Sequence, residues 1–252
     1  MVREFLDMVV LITGGAGDIG RAAAARFADE GARVVLLDTD EVGLSRAVGE
    51  IEGAVSRQAD VTDLSDVEAA FKALHSELGR IDVLVNCVGI YRHRAILDMS
   101  AEEWDETLSV NLKGVFAACR AAGALMVGQE TGGVIVNMAS TAAKRGNPLH
   151  AHYCASKAGI IGFGRALAME LAPRVRVNVV APGVIVSRMS SDMPELRKVT
   201  WKSQIPLDRF GLPAEVAEAI CFLAGDRASY INRAVLNVNG GMWMDCTASL
   251  LP

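Results

Sequence analysis

Tyr153 and Lys157 stand four residues apart in a segment with helical spacing, so they share one helix face and can act together. A free phenol titrates near ~10 and is a poor base at neutral pH, but a neighbouring ammonium favours the phenolate. Ser140 lies 13 residues before Tyr153, just beyond an apolar run at 133–137. Its hydroxyl can hydrogen-bond a carbonyl or alkoxide oxygen. A proton-exchanging phenol beside an oxygen-binding hydroxyl suits the interconversion of an alcohol and a carbonyl. Each feature alone has an ordinary explanation: tyrosine and lysine as an exposed helix pair, serine as part of a loop.

That chemistry needs a hydride carrier, and the N-terminus offers a place for one. Thr13-Gly14-Gly15-Ala16-Gly17-Asp18-Ile19-Gly20 follows the first apolar run, and Gly15, Gly17 and Gly20 match G-x-G-x-x-G. Glycines there allow a tight turn and let the main chain approach a pyrophosphate at the positive end of the following helix. Asp38 ends the second apolar run, 18 residues after Gly20. A carboxylate there accepts hydrogen bonds from the adenosine ribose and repels the extra phosphate of NADP. Gly15, Ala16, Thr39 and Asp40 supply no cation to offset it, so the cofactor expected is NAD. The positive ring of oxidised nicotinamide, added to Lys157, could lower the phenol by roughly 3 units, which takes about 4 kcal/mol. A merely tight turn and a solvated aspartate are the plain alternatives.

These residues must be positioned by the elements between them. Short apolar runs at 9–13, 33–37, 54–58, 83–86, 133–137, 176–180 and 235–238 read as strands buried on both faces. Between them, 19–30, 41–52, 65–78, 101–127, 152–172 and 214–224 carry helical spacing. Such alternation predicts an α/β fold: one doubly wound Rossmann domain over 1–252, with helices on both faces of a parallel sheet. The stretch 182–213 has no clear strand and carries Met189, Met193 and Trp201, which marks it as a candidate substrate lid.

The whole pattern resembles the short-chain dehydrogenase/reductase family. The resemblance rests on the glycine turn, Asn86-Cys87-Val88-Gly89, Asn111, Ser140, Tyr153-Cys154-Ala155-Ser156-Lys157, Pro182-Gly183, Arg209-Phe210-Gly211-Leu212-Pro213 and Asn239-Gly240-Gly241, in order and at family spacing. It implies seven strands in the order 3-2-1-4-5-6-7 and a catalytic tetrad of Asn111, Ser140, Tyr153 and Lys157. In that tetrad tyrosine exchanges the proton, serine orients the oxygen, lysine lowers the phenol and holds the nicotinamide ribose, and asparagine supports a water relay. It further implies that Asn86, Gly89, Asp60 and Val61 border the cofactor, that Pro182, Gly183, Ile185 and Ser187 line its nicotinamide side, and that the protein is a homotetramer. Small residues on 101–127 and 152–172 suit such packing. The sequence departs from the family at Asp18, which replaces a glycine and would either cap the first helix or repel the pyrophosphate. It departs also at Cys87-Val88, at Ser187 and at Asn232-Arg233, which replaces threonine-glycine.

Composition excludes several classes. A formal charge of −5 with no dense basic run argues against nucleic acid. Met8 to Ile12 is too short for a secretory core or a membrane span. Five widely spaced cysteines without CxxC read as reduced thiols of a cytoplasmic protein. His150-x-His152 lacks partners at metal-ligand spacing; His150 would touch substrate or sit in a surface loop, and His152 would pack. Arg92, His93, Arg94, Lys144 and Arg145 would form a cationic rim or solvated loops. The expected activity is reversible hydride transfer between NAD(H) and a secondary alcohol or ketone. The alternatives are an NADPH-dependent reductase of the ketoacyl-carrier-protein type and a nucleotide-sensing or scaffold protein without catalysis.

Overall fold

The apolar runs become seven parallel strands in a computed structural model that describes residues 3–191 and 194–243. They are β1 (Val9–Thr13), β2 (Arg33–Asp38), β3 (Val55–Gln58), β4 (Val83–Asn86), β5 (Gly133–Met138), β6 (Val175–Pro182) and β7 (Val235–Val238). The order is β3-β2-β1-β4-β5-β6-β7. It reverses between β1 and β4, and that reversal opens a crevice at the carboxyl ends of the strands.

The inner strands bury both faces, as their valine-rich composition requires: β1 and β4 are wholly buried. The expectation fails at β3, whose four residues are all exposed. An edge strand has one neighbour and little cover, which suits Ser56, Arg57 and Gln58. One apolar cluster joins Leu11, Leu37, Phe71, Leu84 and Ile135 on one face of the sheet. Another joins Ile12, Leu36, Phe27, Val85 and Ile220 on the other.

The principal helices are α1 (Asp18–Asp29), α2 (Glu41–Glu50), α3 (Leu64–Leu78), α4 (Ala101–Leu108), α5 (Gly114–Gly128), α6 (Ala142–Arg145), α7 (Ala151–Glu170), α8 (Arg188–Ser191), α9 (Glu195–Lys202) and α10 (Pro213–Ala224). The segment read as one helix over 101–127 is interrupted: Ser109–Lys113 forms a π turn between α4 and α5. Such turns insert a residue without breaking the helix and re-aim its side chains. By length and composition Ala101–Gly128 would suffice to cross a membrane, but Val115, Ala118, Cys119 and Met126 are completely buried in the fold.

The strap over 182–213 is more regular than its composition implied. It holds α8 and α9, and its ends are stitched together: the Val186 amide donates to the Gly211 carbonyl, and the Gly211 amide donates to the Val184 carbonyl. Its return stretch docks on the turn Asn239-Gly240-Gly241, where the Leu207 amide donates to the Gly240 carbonyl. Gly240 has φ +61, and an added Cβ would stand 2.7 Å from Ile205 Cγ2. Met193 and Cys246 lie outside the described residues.

Candidate active site

Tyr153 and Lys157 project from α7 towards the end of β5, as their four-residue spacing requires. Lys157 Nζ lies 5.8 Å from the centre of the Tyr153 ring and donates to the Met138 carbonyl at 3.0 Å. Burial pushes the Lys157 ammonium down to about 8. Burial also pushes the Tyr153 phenol above its ordinary value, against the Ser140 hydroxyl, which favours the phenolate. The lysine alone therefore does not lower the phenol: it sits over the ring with its proton engaged by a carbonyl, and desolvation wins. A second positive charge beside the phenol, the one expected of an oxidised nicotinamide, would act in the opposite direction.

Ser140 stands two residues past β5, where its Oγ accepts the Ala142 amide at 3.1 Å and starts α6. Asn111 lies in the π turn and is completely buried. Its Oδ1 accepts the Ile90 amide at 2.8 Å, while its Nδ2 donates to the Ile90 carbonyl and to Ser156 Oγ. It thus clamps the segment after β4 to the catalytic helix. A Cβ on Gly89 would lie 3.3 Å from both Asn111 Oδ1 and Lys157 Nζ, so any larger residue there would press on both groups.

The glycine turn fits a dinucleotide. A Cβ on Gly20 would stand 2.3 Å from the Gly14 carbonyl oxygen, and one on Gly14, at φ +69, would stand 2.5 Å from the Val88 nitrogen. Gly15 packs on Leu36 and Gly17 on the Gly14 carbonyl. No side chain caps α1, whose N-cap is Gly17, so its first amides remain available to an anion. Asp38 closes the other end: Oδ2 accepts the Ala16 amide and Oδ1 the Asp40 amide, both at 3.1 Å.

Ile19, Gly89, Ser140, Tyr153, Lys157, Pro182, Gly183, Ile185 and Ser187 all line one cleft. Several expectations need correction. Asn86 does not line it: its side chain is fully buried and knits β1, β4 and β5 through Thr13 Oγ1, Asn137 Oδ1 and Cys119 Sγ. Asp60 Oδ1 accepts the Thr62 amide and hydroxyl and Val61 packs against Gly114, and neither contact conflicts with the adenine-side place that the resemblance implies for these two residues. Asp18 is not a cap; its Oδ2 accepts the Arg188 amide at 2.6 Å, and Arg188 lies beside it. Arg92 and Arg94 form no cationic rim, because Glu106 and Glu103 of α4 pair with them. His150 is neither a substrate contact nor a surface residue. It is wholly buried, with Nδ1 2.6 Å from the Pro148 carbonyl, and burial pushes it down to about 4.

Sequence reasoning missed Tyr91, Asn147 and Met242, which also line the cleft, as does Trp201 of the candidate lid. The Tyr91 ring stacks on His150 at 4.1 Å and meets Tyr153 edge-on at 4.8 Å, and Asn147 Nδ2 donates to its hydroxyl at 2.8 Å. Its place two residues after Gly89, on the loop leaving β4, was the available signal. Arg188 was missed because it lies 170 residues from the turn it touches.

Residues 14–243 match the family described as Enoyl-(Acyl carrier protein) reductase. The chain is 43% identical over 239 residues to 3-oxoacyl-[acyl-carrier-protein] reductase FabG of Thermotoga maritima, covering 93% of this chain and 97% of that one. It is 42% identical over 241 residues to D-threitol dehydrogenase of Mycolicibacterium smegmatis, covering 92% of each. Among solved structures, the short-chain dehydrogenase/reductase "SDR:Glucose/ribitol dehydrogenase" from Brucella melitensis superposes with a TM-score of 0.92 at 38% identity, over 97% of this chain and 100% of that one.

Proposed function

Because this chain belongs to the short-chain dehydrogenase/reductase family, we propose that its cleft interconverts a polar secondary alcohol and its ketone with NAD(H). The nicotinamide ring, when bound, accepts or supplies the hydride. Tyr153 takes the hydroxyl proton in oxidation and returns it in reduction, and Ser140 orients the same oxygen from the β5 side. Lys157 holds positive charge over the phenol, and Asn111 fixes the floor beneath both. Gly14, Gly15, Gly17, Ile19 and Gly20 would receive the pyrophosphate, and Asp38 the adenosine ribose.

The observation that carries the oxidoreductase reading is the convergence of Ser140, Tyr153 and Lys157 in one cleft. For the choice of cofactor it is Asp38, fixed by two main-chain amides where a 2′-phosphate would meet it. The name of the Mycolicibacterium smegmatis relative supports a polyol substrate. So do Tyr91, Asn147 and Arg145, which give one wall of the cleft hydrogen-bonding groups.

A second reading is NADPH-dependent reduction of a 3-oxoacyl group on a carrier protein. The name of the Thermotoga maritima relative supports it, and so does the apolar part of the cleft at Val184, Ile185, Trp201 and Met242. Initial rates with NAD and NADP over alcohols, polyols and sugars, set against NADPH with a 3-oxoacyl thioester, separate the two. NAD-dependent polyol oxidation supports the first reading; NADPH-dependent thioester reduction with no polyol activity overturns it. The exposed apolar residues Phe116, Val127 and Met169 on α5 and α7 support the proposed homotetramer, which light scattering measures.

A further inference from the structure

α1 begins with a carboxylate where its amides offer a place for an anion, and the structure answers that carboxylate with a cation from the other side of the cleft. Asp18 Oδ2 accepts the Arg188 amide at 2.6 Å, Asp18 Oδ1 lies 3.6 Å from Arg188 Nε, and Arg188 Nη2 donates to the Ala16 carbonyl at 2.6 Å. These contacts span 170 and 172 positions of chain and tie the first turn of the strap to the glycine turn. The remaining terminal nitrogen, Nη1, makes no hydrogen bond among the described residues. A guanidinium has five donors in a rigid fork, so it can hold a carboxylate and a carbonyl and still present N–H groups to a phosphate. Arg188 is exposed and, with Asp18 and Arg21, lines a pocket beside the catalytic cleft, with Ser187 and Ser190 common to both. Arg21, the cation nearest in sequence, is paired with Glu50 instead.

We propose that Arg188 is a cofactor-binding residue, held in place by Asp18, whose guanidinium neutralises the diphosphate of the dinucleotide at the α1 N-terminus. The inference rests on the dinucleotide reading above but not on the choice of NAD, because NAD and NADP carry the same diphosphate. Asp18 is then a positioning residue. Its own charge opposes the cofactor and is cancelled only while Arg188 is beside it, which reconciles a carboxylate with a site built for an anion.

Titration calorimetry with NAD, NADP and ADP-ribose tests this at low and high salt. Arg188→Ala should weaken all three by about 10-fold or more, by a similar factor for each. Because one charge pair is lost, the salt dependence of binding should also flatten. Arg188→Lys should recover part of the loss. Asp18→Gly should change affinity by less than about 3-fold in the unaltered protein and tighten it by several-fold in the Arg188→Ala background, where the carboxylate stands uncancelled. Arg188 and Asp18 are both surface-accessible, and unchanged melting temperatures establish that the variants fold. If Arg188→Ala binds every nucleotide as tightly as the unaltered protein, the proposal falls while the dinucleotide reading stands. Equal effects of Asp18→Gly in both backgrounds overturn the positioning role. If the unaltered protein binds no dinucleotide, the functional reading falls and takes this inference with it.

Discussion

The two walls of the cleft are built in different ways. The wall made by β5, α7 and the π turn is welded to the core. Asn111, Ser156 and Lys157 are buried, and Asn111 and Lys157 hydrogen-bond the main chain. The facing wall, 182–213, is a strap held at scattered points, among them the pairing at Gly211, the dock on Gly240, the Arg145–Gln204 hydrogen bond and the clasp of Arg188 on Asp18 and Ala16. No residue of α9 is buried, and Leu196 is 81% exposed. Elements with little buried apolar area and exposed hydrogen bonds open at low cost. The comparison teaches a division of labour. Proton transfer needs groups held to fractions of an ångström, which core packing provides; admission and selection of substrate need a wall that can move.

The strongest way to break that comparison is on the rigid wall. Lys157→Met should lower turnover by roughly 10²–10⁴-fold and weaken dinucleotide binding, yet leave thermal stability equal or higher, because burial already disfavours the ammonium. A variant that unfolds while keeping its turnover would reverse the assignment. On the strap, Trp201→Ala should raise KM about 10-fold, the scale of one lost aromatic contact, and change kcat by less than about 3-fold. A fall in kcat comparable to that of Lys157→Met would erase the distinction between the walls.

His150 sharpens the comparison through pH. Its folded value of about 4 lies below the ordinary 6.5, so the unfolded chain takes up the proton first. Its neutral form therefore contributes full stability above about 6.5, and that contribution is lost as pH falls towards 4. Chemical denaturation of His150→Gln should show a shallower loss of stability across that window; an identical slope would remove His150 from the rigid wall's acid response. The smallest effect is at Arg233, which holds φ +65 where the family has glycine. Arg233→Gly should raise stability by up to about 1 kcal/mol in denaturant titration, without altering kinetics.

Much of the rigid wall was legible in the sequence because its signals are local. Tyr153 and Lys157 declare themselves by a four-residue spacing, the glycine turn by its position after β1, and the sheet by its runs of valine and leucine. Asn111 came only through resemblance, since a π turn leaves no mark in helical periodicity. The strap was poorly legible because its contacts are made at long range. Nothing near Arg188 in sequence points to Ala16, and nothing near Gly211 points to Val184. Asn86 was misplaced because a polar residue at a strand end serves the strand network and the ligand equally well; three neighbouring side chains decide it here. Of the two readings of Arg92 and Arg94, rim or solvated loop, the sequence could not choose, because charge counted along a loop ignores the carboxylates that α4 brings opposite.

The most direct test of Tyr153 as the acid/base group is turnover of Tyr153→Phe on the best alcohol of a panel, with dinucleotide affinity measured on the same protein. The substitution keeps the ring that packs edge-on against Tyr91 and removes the hydroxyl. Turnover should fall by roughly 10²–10⁴-fold or more while affinity stays within about 3-fold. Retention of more than about a tenth of the turnover would contradict the mechanism.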